Sequence, residues 1–419
     1  MGMRLCICMP TCNRSECIDR VLKEELEILK KTDIDICIYD SSDNDDTERL
    51  VSDYQHRGYQ NLFYRQVDHA IHPNRKAYGI FKEAEQMGHD YVWLIHDHTY
   101  CNDEKGLLNI MEALSKGYDF YLLNMQSNNF RMIEIKDLDE FLMLGAWPLN
   151  SFGASILKVS SFIKGSDWRK ISKKYLGKKT LNYAHIGFYY ERAAQIKDIR
   201  ICKVELPREY FLDFLRYEKT SWDKETIRIC TECWGSNILK LPDVYKCKYQ
   251  ALQSQDKWFL SKYKMIFYKK SGQFHIMSFL RYRKWFRLIS PESYWQNLMI
   301  AVFPFRVSKY ICCHKLVKQI KRAQLRNEKV FIYGAGRHAV ECADLLKNIG
   351  VEYDAFIVTS KEGNPENLLD HSVCEAGVVL KKERALVIIA ILTSGVREVE
   401  KYLKQITGIN GKLNYVIFE

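Results

Sequence analysis

Polar side chains collect directly after three short apolar runs in the first hundred residues. Leu5 to Met9 is followed by PTCNR, Ile34 to Tyr39 by DSSDNDDT, and Tyr91 to Ile95 by HDHT. Carboxylates and imidazoles hold divalent metals, and a metal on a diphosphate neutralises charge on a departing group. A further carboxylate can bind ribose hydroxyls or a base. The residue types therefore predict a site for a metal-bound diphosphate, provided that the three segments meet.

The elements around these segments favour such a meeting. The apolar runs read as strands, as do 62–66 and 120–124, and they alternate with amphipathic stretches over 45–54, 74–86 and 103–114 that read as helices. This order predicts a parallel α/β sheet, in which the loops at the carboxyl ends of neighbouring strands share one crevice. Residues 158–241 have an irregular pattern of loops and a few helices.

The order and spacing of PTCNR, YDSSDNDDT and WLIHDHT resemble the GT-A nucleotide-sugar glycosyltransferases of family 2. The resemblance covers about residues 3–157 and continues more weakly to about 248. It implies a nucleotide-sugar site formed by Pro10, Thr11, Arg14, Asp40, Ser42, Asn74, Arg75, Lys76 and Asp97. Asp40 would bind the nucleoside, although Asp-Ser-Ser also favours a turn without any ligand.

Asp97 would be the first aspartate of the metal-binding DxD-type motif, but the second aspartate is absent. The segment reads His96-Asp97-His98, and an imidazole suits manganese better than magnesium. We expect a divalent metal, manganese or magnesium, with His98 or His96 beside Asp97 as a ligand. A weakly held metal and a metal-independent reaction remain alternatives, and so does a histidine that lines the crevice without a metal.

Family 2 enzymes invert the anomeric centre, which requires a group that takes the proton of the acceptor hydroxyl. No Glu-Asp pair lies between residues 157 and 241. Asp167, His185 and Glu191 are therefore the candidate bases, each with a structural role as the alternative. Trp147 is a candidate for stacking on an acceptor sugar, or else a packed core residue.

The net charge of +11 is concentrated in one segment. Residues 257–326 hold sixteen Lys and Arg against the single acid Glu292, interleaved with many aromatic residues. This composition suits an anionic membrane surface, while helices that pack by their aromatics are the alternative. Nucleic acid is disfavoured because no binding motif accompanies the charge. The chain shows no apolar run long enough to span a membrane and no signal-peptide pattern, and its cysteines in apolar runs fit a reducing cytoplasm.

A second α/β pattern begins at Lys329 with FIYGAGRHA. Gly334, Gly336 and Ala339 fit the G-x-G-x-x-G/A turn between a strand and a helix. The next strand ends at Val358-Thr359-Ser360 without the acid that binds a ribose, which disfavours NAD. We expect a small Rossmann-like accessory or oligomerisation domain.

Together these patterns predict an α/β protein in three parts. They are a GT-A transferase domain over 1–248, a basic helical segment over 249–328 and a Rossmann-like domain over 329–419. The expected function is inverting transfer of a sugar from a nucleotide diphosphate, UDP in the first instance, to a glycan or lipid-linked glycan. The expected location is the cytoplasm or the inner face of the cell membrane. An NAD(P)-dependent sugar-modifying enzyme and a non-catalytic nucleotide-sugar-binding scaffold are the alternatives.

Overall fold

The computed structural model describes residues 3–418 except 31, 33, 70, 214–223, 392 and 408–413. The chain divides into two compact units, one comprising residues up to 213 with 232–254, and the other comprising 224–231 with 255–418. The basic segment and the C-terminal sheet thus belong to one unit. The three boundaries expected from the sequence remain predictions.

The first unit is built on a mixed eight-stranded sheet with the order β3-β2-β1-β4-β8-β6-β9-β7. Its strands are β1 (Leu5–Thr11), β2 (Ile34–Asp40), β3 (Leu62–Gln66), β4 (Tyr91–Leu94), β6 (Phe120–Ser127), β7 (Arg131–Ile135), β8 (Ser155–Lys158) and β9 (Ile201–Pro207). A separate antiparallel pair joins β5 (Thr99–Cys101) to β10 (Phe211–Asp213). The strands predicted from apolar runs are all present, and β1, β2 and β4 are almost entirely buried.

The strands predicted from the sequence run parallel to one another, and the antiparallel strands of this sheet are ones that the sequence did not predict. Strand β8 runs antiparallel to both β4 and β6, and β7 runs antiparallel to β9. Strand β9 alternates buried apolar residues with Lys203 and Glu205, which pair with each other at 2.7 Å. These strands are short or charged, so they lack the continuous apolar run that marks a strand buried on both faces.

Helices cover the sheet with amphipathic faces. They are α1 (Ser15–Leu29), α2 (Asp46–His56), α3 (Pro73–Ala84), α4 (Glu104–Ser115), α5 (Leu138–Gly145), α6 (Trp168–Tyr175), α7 (Ala184–Ala193), α9 (Trp234–Leu239) and α10 (Lys248–Leu252). The short helix α8 (Thr226–Arg228) belongs to the second unit. Helix α1 buries Ile18, Val21, Leu22 and Leu29 with the three- and four-residue spacing of one helical face. Short helical turns of other types lie at Pro148–Asn150, Val159–Ile163, Leu181–Tyr183, Ile229–Cys233 and Lys257–Leu260.

The second unit joins a helical layer to a six-stranded sheet. Its other helices are α11 (Lys262–Lys270), α12 (Ile276–Ile289), α13 (Tyr294–Val302), α14 (Phe305–Leu325), α15 (Arg337–Ile349), α16 (Ala376–Val379) and α17 (Thr393–Thr407). Its strands are β11 (Lys329–Tyr333), β12 (Ala355–Val358), β13 (Asn367–Leu368), β14 (His371–Glu375), β15 (Ala385–Ile389) and β16 (Asn414–Ile417), in the order β13-β14-β12-β11-β15-β16. All pairs are parallel except β13 with β14.

The glycine turn after β11 has the backbone that its sequence pattern requires. Gly334 has φ of +120°, and an added Cβ would lie 2.8 Å from the carbonyl oxygen of Ala390. A side chain is therefore excluded both by conformation and by space.

No helix within the described part of the chain is long and apolar enough to cross a membrane.

Candidate functional site

The first three polar segments meet at the carboxyl edge of the large sheet. Strand β1 lies between β2 and β4, and Thr11 at its end is in register with Asp40 at the end of β2. Asp97 follows β4, and its carboxylate accepts a hydrogen bond of 2.8 Å from Thr11 Oγ1. Asp40 and Asp97 are both buried. The two carboxylates that the sequence singled out therefore flank the same residue.

Asp97 is part of an ion pair. Its second carboxylate oxygen lies 3.3 Å from Nη1 of Arg14, whose side chain is 47% exposed. The carboxylate is thus held by a buried hydroxyl and by a cation that reaches solvent. About half of the Arg14 side-chain surface therefore remains accessible to solvent.

Asp40 is held by its own loop. One carboxylate oxygen accepts hydrogen bonds from the backbone N–H of Ser42, at 2.9 Å, and from the Ser42 hydroxyl. The other accepts from the hydroxyl of Tyr64 at 3.3 Å. The Ser42 hydroxyl in turn accepts from the backbone N–H of Asn13 at 2.7 Å. These bonds form the turn that Asp-Ser-Ser favours and fasten it to the loop after β1.

Lys76 bridges the loop after β1 and the loop after β2. Its ammonium group donates to the carbonyl oxygen of Thr11 and, at 2.6 Å, to the hydroxyl of Ser41. Burial lowers the pKa of Lys76, while the negative charges of Asp40 and Asp97 oppose that shift. Pro10, the remaining residue of this predicted set on β1, is half-buried and in register with Tyr39.

Asn74 and Arg75 contact a different segment. The amide of Asn74 donates to the carbonyl oxygen of Asn182 at 3.1 Å and accepts from the backbone N–H of His185 at 3.2 Å. Arg75 donates to the carbonyl oxygen of Leu176 at 3.3 Å. Of the three neighbours on α3, only Lys76 therefore contacts the strand-end loops.

His96 and His98 form a second cluster beside Asp97. Their rings stack with centroids 4.8 Å apart. His96 Nε2 lies 3.1 Å from the Ser151 hydroxyl, and His98 Nδ1 lies 2.9 Å from a carboxylate oxygen of Asp213. Burial, with a smaller contribution from His98, lowers the pKa of His96 to about 3, so this ring is neutral at physiological pH.

Ser151 and Asp213 were not predicted from the sequence. Asp213 reaches His98 because β10 pairs with β5, where Asp213 is in register with Thr99. Nothing in the local pattern of either segment indicates this long-range antiparallel pairing. A polar residue at the end of a late strand is the only signal that the sequence offers.

The donor atoms at this edge do not form a ready metal site. Within the described residues there is no group of three or more His, Cys, Asp or Glu side chains placed to hold a metal ion. Asp97 already binds Thr11 and Arg14, and the carboxylate facing His98 belongs to Asp213. The predicted ligand set of Asp97, His98 and His96 therefore does not fit a metal in this arrangement.

The three candidate bases lie in different surroundings. Asp167 is exposed and caps α6 by accepting from the backbone N–H of Lys170 at 2.9 Å. Buried Glu191 accepts from Lys174 at 2.6 Å and from the hydroxyl of Tyr175 at 2.9 Å. Both side chains thus have well-defined structural partners.

His185 is the candidate that contacts the strand-end region. Its Nε2 lies 2.9 Å from the carbonyl oxygen of Leu149, and its Nδ1 is hydrogen-bonded to Asn74 Oδ1. Burial lowers the pKa of His185 to about 4. Its ring is 5.0 Å from that of Phe152, which also contacts His96 at 5.5 Å between centroids.

Trp147, the predicted acceptor platform, packs edge-to-face on Trp234 with centroids 5.3 Å apart. It is half-buried. Part of its surface is therefore committed to the fold, and part faces solvent.

Residues 6–192 match the family model described as Glycosyl transferase family 2. A curated relative, abequosyltransferase RfbV of Salmonella typhimurium, is 25% identical over 137 residues, which are 32% of this chain and 40% of that protein. The aligned part thus spans less than half the length of this relative.

Solved structures with a similar fold include residues 1–349 of S. aureus TarS, with 17% identity, a TM-score of 0.42 and coverage of 87% of this chain and 98% of that one. The mannosyltransferase PcManGT from Pyrobaculum calidifontis, in complex with GDP-Man and Mn2+, has 13% identity, a TM-score of 0.37 and coverage of 74% and 86%.

The match over residues 6–192 agrees with the family that the sequence motifs predicted, and the mixed α/β sheet of the first unit agrees with the fold class expected for it. The match does not reach residues 329–419. The Rossmann-like assignment of that region stays a prediction.

Proposed function

We propose that this protein transfers a sugar from a nucleotide diphosphate donor to a glycan acceptor, with inversion at the anomeric carbon. The donor that we propose is a UDP-sugar. The observation that carries the proposal is the meeting of three strand-end loops around Thr11, with Asp40 on one side and Asp97 on the other. It is supported by the match of residues 6–192 to the family 2 model.

The chain's own groups supply the positioning and the charge. Thr11 and Arg14 fix the Asp97 carboxylate, and Lys76 fixes the backbone of the first loop against Ser41. A diphosphate carries negative charge that grows on the departing oxygen as the glycosidic bond breaks. Arg14, whose side chain is half-exposed beside Asp97, would stabilise that charge. Asp40 serves the nucleoside end of the donor.

A divalent metal, manganese or magnesium, remains part of the proposal as a group that neutralises diphosphate charge when bound. Asp97 is engaged by Thr11 and Arg14 and does not offer a free carboxylate to that metal. A metal that does bind would find imidazole nitrogen and carboxylate oxygen at His98 and Asp213, a donor set that suits manganese better than magnesium.

We propose His185 as the first candidate base to test, ahead of Asp167 and Glu191. Among these three residues, His185 is connected to the strand-end loops, because Phe152 contacts both His185 and His96. Burial lowers its pKa to about 4, so the ring is neutral at physiological pH, and acting as a base requires that the bound substrates raise this pKa. To do so it would have to exchange its bond to the Leu149 carbonyl for one to the acceptor hydroxyl.

We further propose that the acceptor is a glycan, either free or attached to a lipid, that the enzyme meets at the cytoplasmic face of a membrane. Trp147, half-buried against Trp234, is the aromatic residue that we propose as the contact for the acceptor sugar.

The test measures nucleotide binding and sugar transfer with matched aspartate variants. The full chain is screened with UDP, GDP and dTDP by thermal shift, and then with the corresponding donor sugars. A ligand at a hundredfold excess over its Kd stabilises the folded chain by about 2.7 kcal/mol. We expect stabilisation by one nucleotide, and its loss in Asp40→Asn and Asp97→Asn.

Asp35→Asn is the matched control, because Asp35 is a buried carboxylate at the opposite end of the same strand β2, where it pairs with Arg4 at 2.9 Å. Stabilisation that survives in Asp40→Asn and Asp97→Asn would refute the proposed donor site. Nucleotide binding without transfer to any acceptor would instead favour the non-catalytic scaffold.

A further inference from the structure

The helices of the basic segment expose large apolar side chains rather than burying them. Nineteen large hydrophobic residues are exposed among the described residues, and ten of them lie within 276–325. They are Ile276, Met277, Leu280, Trp295, Met299, Val302, Phe303, Val307, Tyr310 and Leu325. This concentration is much higher than the scattered exposed residues that are normal on a soluble surface.

The exposed residues are ordered by helical spacing. On α13, Trp295, Met299 and Val302 are four and three residues apart, while Asn297, Ile300 and Ala301 on the other side are buried. On α14, the exposed residues Val307 and Tyr310 are three residues apart, and the exposed Phe303 lies just before the helix. Residues at this interval share one face of a helix. Each helix therefore buries one apolar row within the unit and presents a second row to solvent.

Cations flank these rows. Residues 276–325 contain ten Lys and Arg but the single acid Glu292. On α12, Arg281 and Lys284 are exposed beside Met277 and Leu280. Glu292 accepts a hydrogen bond of 2.9 Å from the backbone N–H of Lys262, which places it with the core of the segment. The exposed apolar rows therefore lie in strongly positive surroundings.

We infer that the outer faces of α12, α13 and α14 dock on an anionic lipid bilayer, with the apolar rows in the headgroup region and the cations on the lipid phosphates. Interfacial helices combine these two features. A second copy of this chain is the less suitable occupant, because it would bring another ten cations against these ten. Docking of this kind goes beyond the transfer reaction and does not depend on it.

The test is flotation of the full chain with vesicles of phosphatidylcholine alone and of phosphatidylcholine mixed with phosphatidylglycerol. We expect binding only to the mixed vesicles, and weaker binding as salt is added. The cation variant Arg281→Gln/Lys284→Gln should bind roughly 30-fold more weakly, since each cation near an anionic surface contributes about a fivefold factor. The apolar variant Trp295→Ser/Met299→Ser should bind more than about tenfold more weakly.

Tyr249→Ser is the matched control, because Tyr249 is 64% exposed, against 69% for Trp295, and lies outside residues 276–325. It should bind like the unmodified chain. Equal binding to both kinds of vesicle would overturn the inference, and so would apolar variants that bind normally. Self-association by light scattering that the Trp295→Ser/Met299→Ser variant abolishes, with no vesicle binding, would assign the face to a second copy.

Circular dichroism of each variant confirms that the helices are retained. Nucleotide binding by the Trp295→Ser/Met299→Ser variant should be unchanged. Failure of lipid docking is therefore distinguishable from failure of the proposed transferase activity.

Discussion

Glu25 on α1 is a buried carboxyl group whose ionisation should control the stability of the first unit. One of its oxygens accepts a hydrogen bond of 3.1 Å from the backbone N–H of Cys101 in β5, and the other has no partner within the described structure. Burial raises the pKa of Glu25 from 4.5 to about 8, against the opposing effect of the Cys101 N–H. Glu25 is therefore protonated in the folded chain at neutral pH.

The sign of the effect follows from proton binding. Between pH 4.5 and about 8 the folded chain holds a proton on Glu25 that the unfolded chain has lost. The free energy of unfolding must then fall as the pH rises through this window, by up to about 1.4 kcal/mol per pH unit and on the order of 4 kcal/mol in all. Glu25→Gln, which is neutral at every pH, should remove this slope and be the more stable protein at pH 8.

The assay is urea unfolding at a series of pH values, with the difference between the unmodified chain and Glu25→Gln plotted against pH. The difference cancels the other titrating groups that the two proteins share. Glu24→Gln is the matched control, since Glu24 is the exposed neighbour of Glu25 on the same helix. A difference that stays constant from pH 4.5 to 8 would refute the reasoning, because it would mean that Glu25 titrates normally in the folded chain.

Three glycine-to-alanine substitutions should differ in their effect on the free energy of unfolding. Gly187→Ala should destabilise the first unit by about 1–3 kcal/mol, because the new Cβ would overlap the Tyr175 ring, whereas Gly79→Ala, with open space at its Cβ on α3, should be neutral or stabilise by up to about 1 kcal/mol. Thermal unfolding of the pair measures the contrast, and equal effects would contradict it. Gly334→Ala should cost about 1–3 kcal/mol because of the positive φ and the Ala390 carbonyl, measured by urea unfolding of the full chain, where an unchanged midpoint would contradict the close packing.

The sequence predicts the part of the fold whose strands are buried on both faces. Strands β1, β2 and β4 are continuous apolar runs, so their positions and the polar residues at their ends could be read directly. Strand β9 was missed because Lys203 and Glu205 interrupt its apolar pattern and neutralise each other only once the strand is formed. Antiparallel pairing such as that of β10 with β5 depends on long-range contacts that no local spacing shows.

The same distinction explains what was predicted of the site. Thr11, Asp40 and Asp97 follow parallel neighbours, so topology alone brings them together. Asn74 and Arg75 share α3 with Lys76, but neighbours on a helix point about 100° apart, and their side chains reach other segments. Position along the chain thus identifies the loop, while the direction of each side chain decides which residue contacts it.

The three consecutive residues of the segment His96-Asp97-His98 have different hydrogen-bond partners. Asp97 faces Thr11 and Arg14, so its negative charge is compensated by a cation of the first loop. The flanking histidines face Ser151 and Asp213, which come from segments that the motif does not include. Three consecutive residues with different partners cannot be treated as one ligand set on sequence grounds. Arg14 already supplies a positive charge beside the proposed donor. The pair formed by His98 and Asp213 is a separate feature at this edge of the sheet.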